Sequence, residues 1–363
     1  MNSKIKCGAV IAAAGMSSRM NDFKPLLPLA GTTLIGRVIN TLKSAGVSPI
    51  VVISGKFAER LKEYLTGFDV ICLYNGNYER TDMFYSACMG FEYIQDKAEQ
   101  FFFLPGDVPL FSKQSLDAMM EHMSISGCDI LLPQRCGRQG HPILIKSSVV
   151  PAVLSYDGEN GLRGVIENYK GPKEAMELPD IGITLDADSP RDYELIKLLA
   201  DDTVPEDIRR HSALVAQLAV SLGEKLISLG YSLDLHRIEL AALLHDISRA
   251  QPNHACAGAE HLEKIGHPLL AEIVSQHMKL LPEQEDKISE VTIVYLADKF
   301  FIGGEIATLE QRFENKRREF HDKPGALQAL EENYQTSLGI LRLFENALGF
   351  SIVPNELLKK QTV

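Results

Sequence analysis

Apolar residues in the first half of the chain form short runs that alternate with segments of helical periodicity. Runs of about four to eight apolar residues are typical of strands buried in a parallel sheet. The predicted strands are residues 7–14, 48–54, 69–74, 100–104 and 129–133. The predicted helices between them are residues 33–45, 58–64, 83–93 and 115–123. This alternation predicts an α/β fold with a mostly parallel sheet and helices on both of its faces.

The pattern changes near residue 197, after which helical periodicity dominates and strand-like runs are almost absent. We expect helices at residues 208–229, 235–244, 255–265, 268–277, 288–300, 306–320 and 325–348. Thr203 is predicted to cap the first of them, with Pro205 in its first turn and Glu206 as capping-box partner. The sequence thus predicts an α/β domain at 1–200, an all-α domain at 203–305 and a C-terminal helical extension at 306–363, whose pattern indicates a packing or oligomer surface.

Net charge and composition limit which binding partners and which cellular location the sequence predicts. The net charge of −11 over 363 residues argues against a nucleic-acid partner, because phosphate backbones attract basic surfaces. We expect no membrane association, since no stretch approaches the roughly 20 apolar residues of a membrane span. The N-terminus lacks a signal-peptide pattern, and the six scattered cysteines are typical of reduced, mostly buried thiols. These features together predict a cytoplasmic protein.

The segment that follows the first strand combines small residues with basic ones. Backbone N–H groups in such a loop can hold a phosphate, and Arg19 and Lys24 can supply its counter-charge. In parallel sheets, ligands bind beyond the carboxyl ends of the strands, where this loop is expected to lie. The sequence therefore predicts a site for a nucleoside triphosphate. Its candidate binding residues are Ala13, Ala14, Gly15, Ser17, Arg19, Lys24 and Gly106.

Three aspartates are candidate ligands for Mg²⁺ in this site. Asp107 follows an apolar strand directly, and Asp186 and Asp188 lie in a second acidic segment. Carboxylate oxygens are preferred ligands of Mg²⁺, which bridges phosphate oxygens in phosphoryl-transfer enzymes. An isolated aspartate is commonly a turn or cap residue. The neighbouring loop favours the metal role for Asp107, and the two readings stay evenly balanced for Asp186 and Asp188.

Six segments in order carry a resemblance to a known family. They are residues 12–20, 24–29, 104–109, 140–142, 157–163 and 185–190. Over residues 7 to about 197, the chain resembles the molybdenum-cofactor nucleotidyltransferases, in particular the molybdopterin cytidylyltransferase-like branch. The resemblance implies a GT-A-like, Rossmann-type fold and transfer of a nucleoside monophosphate to a molybdopterin-type phosphate, with release of pyrophosphate. It assigns the catalytic roles to Arg19, Lys24 and Asp107.

The resemblance also implies the substrates and partners. Ala13, Ala14 and Gly15 resemble the cytidylyl branch, whereas guanylyl enzymes usually carry an extra glycine there; the implied substrate is CTP or another NTP, and the resemblance favours CTP. The implied partners are a molybdopterin-type acceptor and molybdoenzyme maturation proteins. The chain departs from the family at Asn21, where a glycine is common, and at residues 80–83, where a Gly-Met pair is usual. The second departure concerns recognition of the base or the pterin.

The second half contains histidines and aspartates on or beside its predicted helices. His245 and Asp246 are adjacent at the end of an apolar helix, which is an unusual position for such a pair. Imidazole and carboxylate together suit Fe, Mn or Zn, and metal ions activate water and clamp phosphoryl oxygens. The sequence therefore predicts a metal site. Its candidate ligands are His211, His245, Asp246, His254, His277 and Asp298.

These ligands match a second family over about residues 208–302. His211, the His245-Asp246 pair and Asp298 resemble the core of the HD phosphohydrolases, and His254 and His277 resemble the additional ligands of its two-metal members. The resemblance implies a metal-dependent phosphohydrolase. Arg249 stands where many members have lysine, which leaves rate and substrate open.

Two alternatives to this bifunctional enzyme follow from the sequence. One is a nucleotidyltransferase that acts on a sugar phosphate or an alcohol phosphate. The other is a non-catalytic, pterin-binding maturation factor with a metal-stabilised HD docking domain, because a metal site can persist without catalysis.

Overall fold

The computed structural model describes residues 6–15 and 22–358, in two compact units, Met1–Ala200 and Asp201–Val363. The strands of the first unit are β1 (Cys7–Ala13), β2 (Pro28–Leu29), β3 (Thr32–Thr33), β4 (Ile50–Ser54), β5 (Ile71–Tyr74), β6 (Gln100–Pro105), β7 (Ile130–Arg135), β8 (Arg138–Gln139), β9 (Ile143–Lys146) and β10 (Lys173–Glu177). Its α-helices are α1 (Leu34–Ser44), α2 (Ala58–Leu65), α3 (Met83–Ile94), α4 (Lys113–Ser126), α5 (Val150–Leu154), α6 (Gly161–Asn168) and α7 (Pro190–Leu199). Short 3-10 helices span Lys24–Leu26, Ser147–Val149 and Ile181–Thr184.

The first unit is built on a mostly parallel sheet, as the alternating pattern predicts. The strand order is β10-β7-β9-β6-β1-β4-β5, with β8 paired to β7. Strand β1 is buried and pairs in parallel with β4 on one side and β6 on the other. The register places Ala12 opposite Pro105, so that the loops after β1 and β6 leave the same edge of the sheet.

Helices cover both faces of this sheet because side chains alternate along each strand. On one face, Ala9 and Ile11 of β1 pack in a cluster that includes apolar residues of α1 and α4. On the other, Val10 packs in a cluster that includes Ala87 and Phe91 of α3. The two clusters therefore fix the positions of the strand ends.

The sequence prediction of this sheet is incomplete at its β10 edge. Strand β9, which was not among the predicted strands, runs antiparallel to both β6 and β7. Strand β10 was not predicted, because its Lys-Glu-Ala-Met-Glu sequence lacks an apolar run. Its side chains are only partly covered, as expected of a strand at an edge.

The second unit is largely helical, as predicted. Its α-helices are α8 (Glu206–Ser228), α9 (Leu235–Leu244), α10 (His254–Lys264), α11 (Pro268–Gln276), α12 (Glu290–Lys299), α13 (Leu309–Glu319), α14 (Pro324–Leu348) and α15 (Pro354–Leu358). Pro282–Gln284 forms a 3-10 helix, and a small hairpin joins β11 (Phe301–Ile302) to β12 (Glu305–Ile306). Helix α8 packs against α9 and α12, and α10 packs against α11.

Several details of this unit differ from the sequence prediction, among them the start of its first helix and a small hairpin. Thr203 does not cap the first helix: its hydroxyl donates to Asp201 Oδ1 at 2.6 Å, and Pro205 occupies the cap position before Glu206. The β11–β12 hairpin was not predicted, because two-residue strands leave no periodicity to detect. Among the helices that the structure describes, none has the length and apolar character needed to cross a bilayer.

Candidate functional site

Residues 14–15, which follow β1, and residues 106–107, which follow β6, meet at one cavity of about 460 Å³ in the first unit. Gly106 follows β6, and its N–H donates to the carbonyl oxygen of Ala12 at 3.0 Å. This bond brings the β6 loop against the end of β1. The candidate nucleotide-binding residues that line the cavity are Ala13, Ala14, Gly15, Lys24 and Gly106, together with Asp107 and Asp188.

Lys24 links the two acidic segments at the edge of this cavity. Its Nζ lies 3.0 Å from Asp107 Oδ2 and 2.9 Å from Asp188 Oδ1. The side chains of Lys24 and Asp107 are only 14% and 16% exposed, so solvent screens their interaction weakly. Lys24 starts a 3-10 helix that follows the buried Phe23, whose ring packs on Phe57. The local fold therefore directs this lysine to the carboxylates.

Asp186 belongs to the same acidic cluster. The backbone N–H of Ala187 donates to the carbonyl oxygen of Asp107 at 3.0 Å, which ties the two acidic segments together. Burial, reinforced by a hydrogen bond with Asp188 and by its charge, raises the pKa of Asp186 to about 6. The cluster thus holds three carboxyl groups, and Lys24 pairs with two of them, Asp107 and Asp188. Such an excess of carboxylate oxygen fits a hard divalent cation such as Mg²⁺.

Two predicted site residues, Ser17 and Arg19, lie outside the described residues. Their part in nucleotide binding therefore stays a prediction from the sequence. The described part of the loop, which ends at Gly15, lies at the cavity.

The wall of this cavity that follows β5 contains Thr81, Asp82 and Met83, which belong to the departure from the family pattern at residues 80–83, and also Asn75, which was not predicted as a site residue. Asn75 is buried there, and its Nδ2 donates to Thr81 Oγ1 and to Ser86 Oγ, both at 3.1 Å. Asp82 caps α3 by accepting from Tyr85 N–H, so this segment reaches the cavity in a defined conformation. Asn75 directly follows a predicted strand, and residues at the carboxyl ends of parallel strands commonly line ligand sites. This position could have identified Asn75 from the sequence.

A second, larger cavity of about 990 Å³ adjoins the first, since Asp82 and Met83 line both. His141 and Arg163 line it as well, from two of the segments that carry the family resemblance. Burial lowers the pKa of His141 to about 4, which keeps its imidazole neutral at physiological pH. Arg163 extends into solvent and pairs with Glu167 at 2.9 Å.

The second unit brings His211, His245, Asp246 and Asp298 together in one buried cluster. His211 Nε2 lies 3.2 Å from Asp298 Oδ1 and 3.9 Å from Asp246 Oδ2. His245 Nε2 lies 3.6 Å from Asp246 Oδ2 and 3.8 Å from Asp298 Oδ1. The ligand atoms of His211, His245 and Asp246 all lie within 4.8 Å of one another, which is close enough to hold one metal ion.

Backbone carbonyl groups orient the imidazoles of this cluster. The Nδ1 atoms of His211, His245 and His277 lie 2.8, 2.7 and 2.7 Å from the carbonyl oxygens of Gly303, Ala242 and Val274. A proton on Nδ1 satisfies these bonds and leaves Nε2 as a free lone pair directed into the cluster, as metal ligands require. Gly303 belongs to the unpredicted β11–β12 hairpin, whose role here is to anchor His211.

His254 and His277 form a second donor group with Asp246. His254 Nε2 lies 3.1 Å from Asp246 Oδ1, and His277 Nε2 lies 3.6 Å from the same oxygen. The ligand atoms of these three residues also lie within 4.8 Å of one another. Because Asp246 belongs to both groups, its two oxygens can serve two neighbouring metal ions.

The protonation states of the cluster suit metal binding. His245 Nε2 is buried and has no hydrogen-bond partner among the described residues, and burial lowers its pKa to about 4. Burial would raise the pKa of Asp246, but the neighbouring His254, His277 and Arg249 hold it well below its ordinary value. An orphaned buried nitrogen beside ionised carboxylates is costly unless a cation occupies the gap. The donor set therefore fits Fe, Mn or Zn.

A cavity of about 340 Å³ opens beside this cluster. His211 and Asp246 line it, together with the cationic side chains of Arg249, Arg312 and Lys316. Arg249 donates to both oxygens of Asp246, at 3.2 and 3.3 Å. The last two cations belong to α13, which the sequence analysis assigned only to a packing or oligomer surface. A cationic cavity beside a metal cluster can accommodate a phosphate group.

Comparisons with known proteins agree with this architecture. Residues 9–174 match the MobA-like NTP transferase domain family, and residues 208–301 match the HD domain family. The chain joins a MobA-like NTP transferase domain to an HD domain. The first unit is accordingly a nucleotidyltransferase domain.

Individual relatives match parts of the chain. The molybdenum cofactor cytidylyltransferase of Escherichia coli is 28% identical over 193 residues, which cover 53% of this chain and 94% of that protein. The bifunctional protein GlmU of Staphylococcus epidermidis is 34% identical over 116 residues, which cover 31% of this chain. The chain spans only 25% of the length of that GlmU. A solved nucleotidyl transferase from Methanothermobacter superposes with a TM-score of 0.46 at 23% identity, over 53% of this chain and 96% of that one.

Proposed function

We propose that the first unit transfers CMP from CTP to the phosphate of a molybdopterin-type acceptor and releases pyrophosphate. The observation that carries this proposal is the bridge from Lys24 to Asp107 and Asp188 at the cavity that Gly15 and Gly106 line. The similarity to the E. coli cytidylyltransferase over nearly its whole length supports the choice of CTP and of the acceptor.

The chain's own residues bind and align the triphosphate in this proposal. An acceptor phosphate oxygen attacks the α-phosphorus, and the bond from that phosphorus to the oxygen of the β-phosphate breaks as pyrophosphate leaves. Lys24 offsets negative charge at the acidic cluster, and Arg19 is proposed to do so from the loop. Mg²⁺ held by Asp107, with Asp186 or Asp188, would neutralise phosphate charge when bound.

The larger cavity is the proposed acceptor site. It adjoins the nucleotide cavity through Asp82 and Met83, so an acceptor bound there can approach the α-phosphate. Its volume of about 990 Å³ lies in the range of pockets that take a ligand of drug-like size. His141, neutral in this wall, can donate or accept a hydrogen bond without carrying charge.

Asp107→Asn tests the transferase proposal. We expect CTP-dependent pyrophosphate release to fall by at least about 100-fold, because a developing charge loses its electrostatic partner. Asp117→Asn is the matched control: Asp117 is an exposed aspartate of α4 that pairs with Lys113. A rate in Asp107→Asn equal to that of the wild type contradicts the proposal.

A substrate panel separates this proposal from the two alternatives. CTP, GTP and UTP are each offered with molybdopterin, a sugar phosphate and an alcohol phosphate, and pyrophosphate is measured. We expect turnover with CTP and molybdopterin. Turnover with a sugar phosphate or an alcohol phosphate, but not with molybdopterin, supports the first alternative, a nucleotidyltransferase for that acceptor. A chain that binds molybdopterin without any NTP and never turns over is a non-catalytic pterin-binding factor.

For the second unit, we propose a metal-dependent phosphohydrolase that acts on a phosphate ester. His211, His245, Asp246 and Asp298 would hold one Fe, Mn or Zn ion, and Asp246, His254 and His277 a second. Such ions would supply an activated water and charge neutralisation at phosphorus. Arg249 and Lys316 are proposed to bind phosphate oxygens in the adjoining cavity. The attack of water on phosphorus breaks the P–O ester bond and yields an alcohol and a phosphate.

His245→Asn tests this second proposal, with His261→Asn, an exposed histidine of α10, as control. Elemental analysis of protein prepared anaerobically measures Fe, Mn and Zn, and p-nitrophenyl phosphate and its bis ester report hydrolysis. We expect the wild type and the control to retain metal and His245→Asn to lose both metal and hydrolysis. A wild-type chain that holds none of these metals, even after addition of Mn²⁺, contradicts the proposal.

A further inference from the structure

The two oxygens of Asp298 have different surroundings. Oδ1 faces the imidazoles and lies 3.2 Å from His211 Nε2 and 3.8 Å from His245 Nε2. Oδ2 faces two cations and lies 3.0 Å from Lys299 Nζ and 3.0 Å from a terminal guanidinium nitrogen of Arg312. The side chain of Asp298 is only 3% exposed, so these contacts define its environment. One oxygen is thereby directed to the metal cluster and the other is held away from it.

Arg312 lies outside the segment that matches the HD family, which ends at residue 301. It belongs to α13, and its second terminal nitrogen donates to the carbonyl oxygens of Asp298, at 2.7 Å, and of Phe301. One guanidinium thus binds the backbone at the end of α12, the backbone of β11 and the side chain of Asp298. A planar fork of donors can satisfy three such acceptors together.

We propose that Arg312 is a positioning residue of the metal centre, and that it acts by holding Asp298 so that Oδ1 alone faces the ion. This inference rests on the proposed phosphohydrolase site and extends it to a residue of the helical extension. Lys299 donates to the same oxygen, Asp298 Oδ2, and to the carbonyl oxygen of His277 at 2.7 Å, so it ties Asp298 to the end of α11, whereas Arg312 ties it to β11. The fork of Arg312 joins Asp298 Oδ2 to the backbone of β11, while His211 lies between Asp298 Oδ1 and Gly303 of the same hairpin.

The substitution Arg312→Lys separates the effect of the forked guanidinium from the effect of its positive charge. Lysine keeps the positive charge but has a single ammonium nitrogen, which cannot reproduce the fork. Mn²⁺ binding to the full-length, metal-stripped chain is measured by calorimetric titration, so that the readout is independent of activity. We expect the dissociation constant to rise about 10- to 100-fold, the scale seen when a residue that orients a metal ligand is changed. Arg318→Lys is the control, since Arg318 is a largely exposed arginine of the same helix.

A double-mutant cycle then tests whether Arg312 acts through Asp298. Mn²⁺ binding is compared in Asp298→Asn and in the Arg312→Lys/Asp298→Asn double variant. If Arg312 works only by holding the carboxylate, Arg312→Lys changes affinity less than about 2-fold in the Asp298→Asn background. An equal loss in both backgrounds indicates a general structural effect and overturns the positioning role.

The remaining outcomes separate this inference from the proposal on which it rests. Wild-type Mn²⁺ affinity in Arg312→Lys overturns the positioning role and leaves the metal centre standing. Failure of the wild-type chain to bind Mn²⁺ overturns the metal centre and the positioning role together. Far-ultraviolet circular dichroism of every variant shows that affinities are compared between folded proteins.

Discussion

At the scale of single residues, the pKa of His141 predicts how stability depends on pH. Burial lowers this pKa from 6.5 to about 4, so the folded chain binds this proton less readily than the unfolded chain does. The stability that the neutral imidazole contributes is complete above pH 6.5 and is lost as the pH falls towards 4. Between pH 7.5 and 5 the linked loss amounts to about 2 kcal/mol.

His141→Gln removes this titration. We expect urea unfolding of the variant, followed by circular dichroism, to lose about 2 kcal/mol less between pH 7.5 and 5 than the wild type does. His321→Gln changes an exposed histidine and should retain the wild-type dependence on pH. If His141→Gln and the wild type lose the same stability over this interval, His141 is not buried in its neutral form.

Cysteine reactivity is a second prediction at this scale. The sequence predicted mostly buried thiols, but Cys72 and Cys256 are exposed, because they lie on an outward-facing strand position and on the outer face of α10. Burial raises the pKa of Cys7 to about 12, so its reactive thiolate form is scarce. We expect iodoacetamide at pH 8 to label Cys256 much faster than Cys7, as measured by peptide mass spectrometry. Comparable labelling of the folded chain at both sites would contradict the burial of Cys7.

The sequence identified the residues whose chemistry is unusual and missed those whose role comes only from their neighbours. Lys24 and Asp107 are 83 positions apart, yet Lys24 was indicated by the basic segment after the first strand and Asp107 by its place directly after another, and the structure brings them to 3.0 Å. Arg312 follows no such segment. An arginine in a charged helix is ordinarily solvated, and only the folded chain shows that this one reaches Asp298.

At the scale of elements, one close backbone approach connects two of the predicted site segments. The N–H of His141 donates to the carbonyl oxygen of Ile183 at 2.8 Å, which joins residues 140–142 to the 3-10 helix Ile181–Thr184. A Cβ on Gly140 would lie 2.2 Å from that same oxygen. Only glycine permits this approach without a shift of one segment. The 3-10 helix leads directly into Asp186.

Gly140→Ala should therefore disturb both stability and the acidic cluster. We expect a loss of about 1–3 kcal/mol in the free energy of unfolding, the usual cost of forced overpacking. We also expect slower CTP-dependent pyrophosphate release, because Asp186 lies two residues after the displaced helix. Gly67→Ala is the control, since a Cβ there meets nothing within 4 Å. If Gly140→Ala has the wild-type free energy of unfolding and the wild-type rate of pyrophosphate release, the two segments can move apart without affecting either property.

Elements were predictable where apolar periodicity was strong and unpredictable where it was weak. Helix α9 was predicted with its observed bounds, because nearly every position from 238 to 244 is apolar and buried. Strand β9 was missed because its four-residue run after a Gly-His-Pro segment is too short to show a clear pattern. The direction of β9 depends on pairing with β6 and β7, which is information that lies far away in the sequence.

At the scale of the whole molecule, the two candidate sites use separate parts of the chain. The residues that line the two transferase cavities all precede residue 189, and those of the HD cluster and its cavity all follow residue 206. No described side chain belongs to both sets. The sequence predicted this division because the change from alternating to helical periodicity extends over long segments. A pattern of that length is detected reliably even where single residues are ambiguous.

This division predicts that ligands stabilise the chain through separable routes. A ligand at 100 times its dissociation constant stabilises the folded state to which it binds by about 2.7 kcal/mol. We expect scanning calorimetry to show stabilisation by CTP with Mg²⁺ in the wild type and in Asp246→Asn, but not in Asp107→Asn. Conversely, the metal retained after desalting should persist in Asp107→Asn and be lost in Asp246→Asn, where both donor groups lose their shared carboxylate. If Asp107→Asn also empties the HD cluster, or Asp246→Asn abolishes the response to CTP, the two sites depend on each other and the division fails.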